Sequence, residues 1–235
     1  MNFGKTITLT FGDQAENHKG MQIIGEMAEE GFDFNDIQNS FNNFKSMGCQ
    51  CEIINLNDYI DINASEAYIM IVRKGVDCIL GEINKTSDDL FIEQTNLPVD
   101  KKAKMYGRIV NKHARHNLCF DEDAQEPDYN NGKGRIIAFE DVPLTNFIRD
   151  VLPNYFGNKS ENLMVEGNYY YDVNKCGIGF HGDSERKRVI GIRLGETLPL
   201  HYQWFKDGEP IGERIKLKLN HGDIYIMSEK ATGFD

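Results

Sequence analysis

The segment Gly177-Ile178-Gly179-Phe180-His181-Gly182-Asp183 holds the most pointed chemistry in the chain. In extended backbone, residues i and i+2 project to the same side. His181 and Asp183 can therefore aim at one centre while Phe180 faces away. An imidazole and a carboxylate together suit Fe(II), and a second histidine would complete a two-histidine, one-carboxylate triad with open coordination positions. His113, His116, His201 and His221 are the candidates for that third place. For each, the alternative is an ordinary surface or hydrogen-bonded histidine. His-Gly-Asp by itself also fits an exposed polar turn.

Positioning such a pair needs a rigid β scaffold, and the second half of the chain has the pattern of one. Residues 133–139, Met164–Tyr171, Val189–Leu194, Leu200–Phe205, Ile215–Leu219 and Ile224–Met227 read as short strands, and Asp207-Gly208 marks a hairpin. Pro143–Phe156 carries Leu144, Phe147, Ile148, Val151 and Leu152 on one helical face. Many short strands joined by glycine-rich turns point to a jelly roll or barrel. The first hundred residues read as an appended α/β layer. Ile7–Phe11 alternates as a strand, Phe34, Ile37, Phe41 and Phe44 place a helix over 33–46, and Gly48 stops it. Cys51–Leu56 reads as a strand, while Ala67–Val72 fits strand or helix. The polar loop Gly12–His18 holds Asp13, Glu16 and His18, which suit either a ligand or a helix cap.

The chain has 235 residues and a formal net charge of -11. That acidity opposes non-specific nucleic-acid binding, but charge is local in two places. Lys101, Lys102, Lys104, Arg108, Lys112 and Arg115 cluster over 101–118, and Arg186-Lys187-Arg188 follows the His-Gly-Asp turn. Each run is a solvated face or a basic rim beside a site. Five scattered cysteines argue against a disulfide framework. No apolar run has bilayer length and no secretory signal leads the chain, so an intracellular protein without a membrane partner is expected.

Residues from about 104 to 235 resemble the AlkB-like family of Fe(II)- and 2-oxoglutarate-dependent dioxygenases. The resemblance rests on ordered segments: Asn111–Phe120, Asn168-Tyr169-Tyr170-Tyr171-Asp172, Ile178–Glu185, Val189–Gly195 and Leu219–Met227. It implies a double-stranded β-helix (jelly-roll) core in an α+β chain, with residues 1–100 as an N-terminal α/β extension and 101–235 as the oxygenase domain. It implies His181 and Asp183 as catalytic metal ligands, and Asn168 with Tyr170 and Tyr171 at the cosubstrate. Tyr169 stays open as an alternative to those two tyrosines. It places Arg115 and Glu185 near the substrate. The implied activity is hydroxylation or demethylation of an N-alkylated substrate, a nucleic-acid base among them, with the basic rim holding phosphates. The family's distal histidine and two 2-oxoglutarate-clamping arginines fall beyond Asp235, and no histidine follows His221. The chain is thus expected to be part of a longer protein, or else to lack the third ligand.

Two rivals stand beside the oxygenase. One is a catalytically inactive module of the same β-helix fold that binds nucleic acid or protein. The other is a metal-free binder of a sugar or nucleotide on the same scaffold, since fold does not dictate function.

Overall fold

A computed structural model describes residues Gly4–Phe234. In chain order the strands are β1 (Thr6–Gly12), β2 (Gln14–Glu16), β3 (Ile23–Gly25), β4 (Cys51–Asn55), β5 (Tyr68–Val72), β6 (Lys102–Met105), β7 (Arg108–Asn111), β8 (His116–Asp121) and β9 (Ile136–Ala138). They continue with β10 (Met164–Tyr170), β11 (Val189–Gly195), β12 (Leu200–Lys206), β13 (Glu209–Leu217) and β14 (Ile224–Met227). The helices are α1 (Phe34–Ser46), α2 (Gly75–Leu80), α3 (Ser87–Thr95), α4 (Pro143–Phe156) and α5 (Glu229–Thr232).

Eight strands form one open sheet in the order β4-β5-β14-β11-β1-β10-β8-β9. All its pairings are antiparallel except β8 with β9. Three hairpins, β2-β3, β6-β7 and β12-β13, stand apart from it. This corrects the jelly-roll expectation. The sheet keeps two edges, at β4 and β9, and does not close on itself. Its centre is β1, which sits between β10 and β11. Strand pairing across 150 residues and more of sequence leaves no local mark, so alternating short strands fitted a barrel and an open sheet alike.

Alternation sorts the two faces of the sheet. Ile7, Leu9, Phe11, Leu118, Phe120, Val165, Ile190, Ile192, Leu194, Ile224 and Ile226 face one way and are buried with Ile37 and Phe44 of α1 and Ile148 and Leu152 of α4. α1 begins with a capping box in which Asp33 and Asp36 exchange backbone hydrogen bonds. α4 begins with Pro143 in its first turn, where a missing N–H costs nothing.

The opposite face is apolar only at its two ends. At one end Trp204, Ile215 and Leu217 of the β12-β13 hairpin pack on Ile69, Ile71, Val189 and Tyr225. At the other, Ala15 and Ile24 of β2-β3 pack on Cys119 and Ile136. Between them lie Thr6, Thr8, Thr10, Asn117, Glu166, Asn168 and Arg193. The glycine at 191 is required here, because a Cβ would stand 2.0 Å from the ring of Tyr225, which lies across it.

Candidate functional site

The polar stretch is organised as rows running across the sheet. Asn117 pairs with Asn168, Asn168 with Thr8, and Thr8 with Arg193, so one transverse row crosses four strands. The next row is Cys119, Glu166, Thr10, Gly191 and Tyr225. Direct cross-strand neighbours hold their Cβ atoms about 5 Å apart, within reach of one another.

One half of the row is fully hydrogen-bonded. Asn168 accepts at Oδ1 from Arg115 Nε and, at 2.7 Å, from Asn117, and donates from Nδ2 to Glu166 at 2.9 Å. Lys112 Nζ reaches Asn117 Oδ1 at 2.9 Å and Asn17 Oδ1 at 2.8 Å. Asn17 in turn donates to Asp100 at 2.9 Å, and Tyr129 closes the chain by donating to Asp100 at 2.7 Å. Burial pushes the Lys112 ammonium down to about 8. Further along, Arg186 Nη2 donates to Glu166 at 2.5 Å and to Glu185 at 2.7 Å. Burial opposes ionisation of Glu166, but the Arg186 charge and the Asn168 amide outweigh it and hold its carboxyl low.

The other half of the row lacks partners. Thr8 Oγ1 and Arg193 Nε are buried without one. Among the described residues the Arg193 guanidinium makes no hydrogen bond or ion pair, although the residue is only 4% exposed. An unpaired buried donor costs about 1–3 kcal/mol, more when it is charged. The Arg193 backbone is fixed, which sets its side chain on the polar face. Its N–H donates to Asp223 O at 2.9 Å and its carbonyl accepts from Gly222 at 2.8 Å. The carboxylate of Asp223 is already used by Arg73, at 2.7 Å, and by the N–H groups of Lys74 and Asn220. Tyr170 and Tyr225 share the sheet face of Arg193, and burial pushes both phenols up while the Arg193 charge pulls against it.

The sequence-expected residues fall around this floor. His181 and Asp183 do come together, with Nε2 and Oδ1 3.6 Å apart. His181 is exposed and its Nδ1 lies 2.8 Å from Gly179 O. Asp183 stands 3.6 Å from Arg186, and burial raises its carboxyl despite that charge. No third donor joins them. His221 accepts from the Gly195 N–H at 2.8 Å and lies 3.2 Å from Asp88, and His116 stacks on Tyr171. His113 and His201 are exposed. Among the described residues no group of three or more His, Cys, Asp or Glu side chains is arranged to hold a metal.

Without that triad and without a closed barrel, the AlkB-like, dioxygenase and demethylase reading is overturned, and Fe(II) and 2-oxoglutarate have no fitted site. The inactive β-helix module loses its fold on the same ground. Two side chains at i and i+2 can share a centre, but a third ligand must arrive from a distant strand, and the open sheet delivers none.

Asn168 and Tyr170 lie on the floor. Tyr171 points out, donating to His113 O at 2.7 Å. Glu185 and Arg115 border the floor through Arg186 and Asn168. The basic run splits, with Lys101, Lys102 and Arg108 exposed and Lys112 buried. In the tri-basic run Arg186 is buried, and the N–H groups of Lys187 and Arg188 bind Asp13 Oδ1 at 3.0 and 2.8 Å. Asp13 is thereby a structural clamp for that turn. A surface cavity of about 360 Å³ lies elsewhere, beside β9, lined by Leu97, Pro98, Arg135 and Ile137 among others. No described helix is long and apolar enough to cross a membrane.

The fold and site define an open-sheet α+β protein with a buried polar face. No protein-family model matches the chain. It is 47% identical over 235 residues to "Uncharacterized protein R156" of Acanthamoeba polyphaga mimivirus, covering 98% of this chain and 90% of that protein. The chain belongs to the same family as that mimivirus protein.

Proposed function

We propose that the protein binds a small polar molecule on the polar face of the sheet, between the β12-β13 and β2-β3 hairpins. The observation that carries this reading is the row Asn117–Asn168–Thr8–Arg193, polar along its length and buried except at half-buried Asn168, yet finished with hydrogen bonds on one side only. Buried polar groups in folded proteins are normally satisfied, and exceptions call for an absent partner. Asn168 spends its amide inside the protein and so acts as a brace, which fixes Arg115 and Glu166. Thr8, Arg193 and Tyr170 are the surfaces left for a ligand, with Asp183 and Glu185 at the rim.

The test is ligand-induced stabilisation against panels of sugars, nucleosides, amino acids, carboxylic acids and phosphates. A true ligand at a hundredfold its Kd contributes about 2.7 kcal/mol. For a chain of this size that moves the thermal midpoint by roughly 5–10 °C. A rise in the native chain that disappears in Tyr170→Ala supports the reading. A flat response across every panel contradicts it.

A further inference from the structure

We infer that the ligand carries an oxyanion, a carboxylate or a phosphate, docked side-on against the Nε edge of Arg193 with the Thr8 hydroxyl as a second donor. This rests on the binding reading above and names the chemistry of its ligand.

The argument starts from how the other buried cations are treated. Arg186 has Glu166 and Glu185 on its Nη2, although its Nε and Nη1 make no hydrogen bond, Lys112 has Asn17 and Asn117, and Arg149 has Leu163 O and Glu122. Arg73, though less buried, has Asp223 and Glu52. Arg193 alone among these has no acceptor. Its own strand position is fixed by two backbone hydrogen bonds, and the adjacent acid, Asp223, is committed to Arg73.

Two residues with unpartnered atoms also share one sheet face. Thr8 stands directly opposite Arg193 on β1, on the same face. Its neighbour in alternation, Thr6, turns its hydroxyl into Glu196 O at 2.6 Å, so the threonine stripe satisfies itself where it can. Thr8 does not, and it stands across the strand pair from Arg193. A guanidinium presents two parallel N–H groups along its Nε edge, a geometry that matches two oxygens of one carboxylate or phosphate. A hydroxyl beside it supplies a third donor. A neutral ligand would leave the buried positive charge uncompensated, and a cation would repel it. Thr8 and Arg193 are both buried, and in such a low-dielectric place the pairing is strengthened.

The experiment uses the full chain and three probes: sodium phosphate, sodium acetate and sodium citrate, each against sodium chloride at equal ionic strength. Thermal midpoint and calorimetric titration are read together. A saturable rise with phosphate but not the carboxylates assigns a phosphate ligand, and the reverse assigns a carboxylate. In either case Arg193→Met should abolish binding, and Arg193→Lys should weaken it at least tenfold because a single ammonium cannot make the paired contact. Thr8→Val, of similar shape, should weaken it several-fold while the chain stays folded by circular dichroism. An equal response in Arg193→Met and the native chain would overturn the inference, since the anion then sits elsewhere. No response to any oxyanion, beside a neutral compound that binds and needs Tyr170, would overturn the oxyanion and leave the polar-face site standing. No response to any compound would overturn both.

Discussion

Replacing Arg193 by methionine should make the ligand-free protein more stable. The guanidinium is buried and unpaired, on a strand position fixed by two backbone hydrogen bonds. Exchanging buried charged groups for apolar ones of similar volume has been worth about 1–4 kcal/mol of added stability. The lower half of that range applies here, because the methionine stem is shorter and leaves some space where the guanidinium was. About 2 kcal/mol corresponds to a rise of roughly 4–8 °C in thermal midpoint for a chain of this length. Thr8→Val should add about 1 kcal/mol by removing one unsatisfied hydroxyl. The two residues face each other, so the double variant should depart from the sum. Urea denaturation of the four proteins forms a complete cycle, with unchanged m-values showing that the denatured state is unaffected. A loss of more than about 1 kcal/mol in Arg193→Met would refute the reasoning, because the charge would then be satisfied within the fold.

Three further outcomes follow from the same network. Lys112 is held near 8 in the folded chain against 10.5 ordinarily, so between those values the unfolded chain binds more protons. The Lys112 contribution to stability therefore rises with pH across that window, by on the order of 3 kcal/mol, whereas the buried Cys119 thiol, held protonated by the fold, makes stability fall above its ordinary value, so urea midpoints from pH 7 to 10.5 should climb in the native chain relative to Lys112→Met. Gly191→Ala should cost about 1–3 kcal/mol by driving the Tyr225 ring off β11, and the loss should shrink in a Tyr225→Ala background. Glu166→Gln leaves Arg186 with a weaker set of acids and should cost about 3 kcal/mol in chemical denaturation, whereas Glu185→Gln, whose carboxylate is the less buried, should cost less.

Much of the local structure was legible in the residues. The alternation of Ile7, Leu9 and Phe11 with threonines marks β1, and the spacing of Phe34, Ile37, Phe41 and Phe44 with Asp33 ahead of it marks α1. The Asp207-Gly208 turn does join β12 to β13, both residues at positive φ. Strand order was not legible, because β1 finds its partners β10 and β11 more than 150 residues away. For the same reason a His-Gly-Asp triplet suggested a metal centre that its surroundings do not complete. Arg193 was read only as part of an apolar strand. The signal that could have singled it out is its parity. It shares a face with Gly191 and not with Ile190, Ile192 and Leu194, so a charge was being placed on the side opposite the main core.

The account turns on whether Arg193 receives a ligand, and its own Nε–H resonance reports that directly. In a 15N-labelled chain, assigned by its disappearance in Arg193→Met, that resonance should move on titration with the oxyanion that stabilises the protein. Its movement should saturate at the concentration that sets the thermal effect. A stationary Arg193 Nε–H while other signals shift and the midpoint rises would contradict the account.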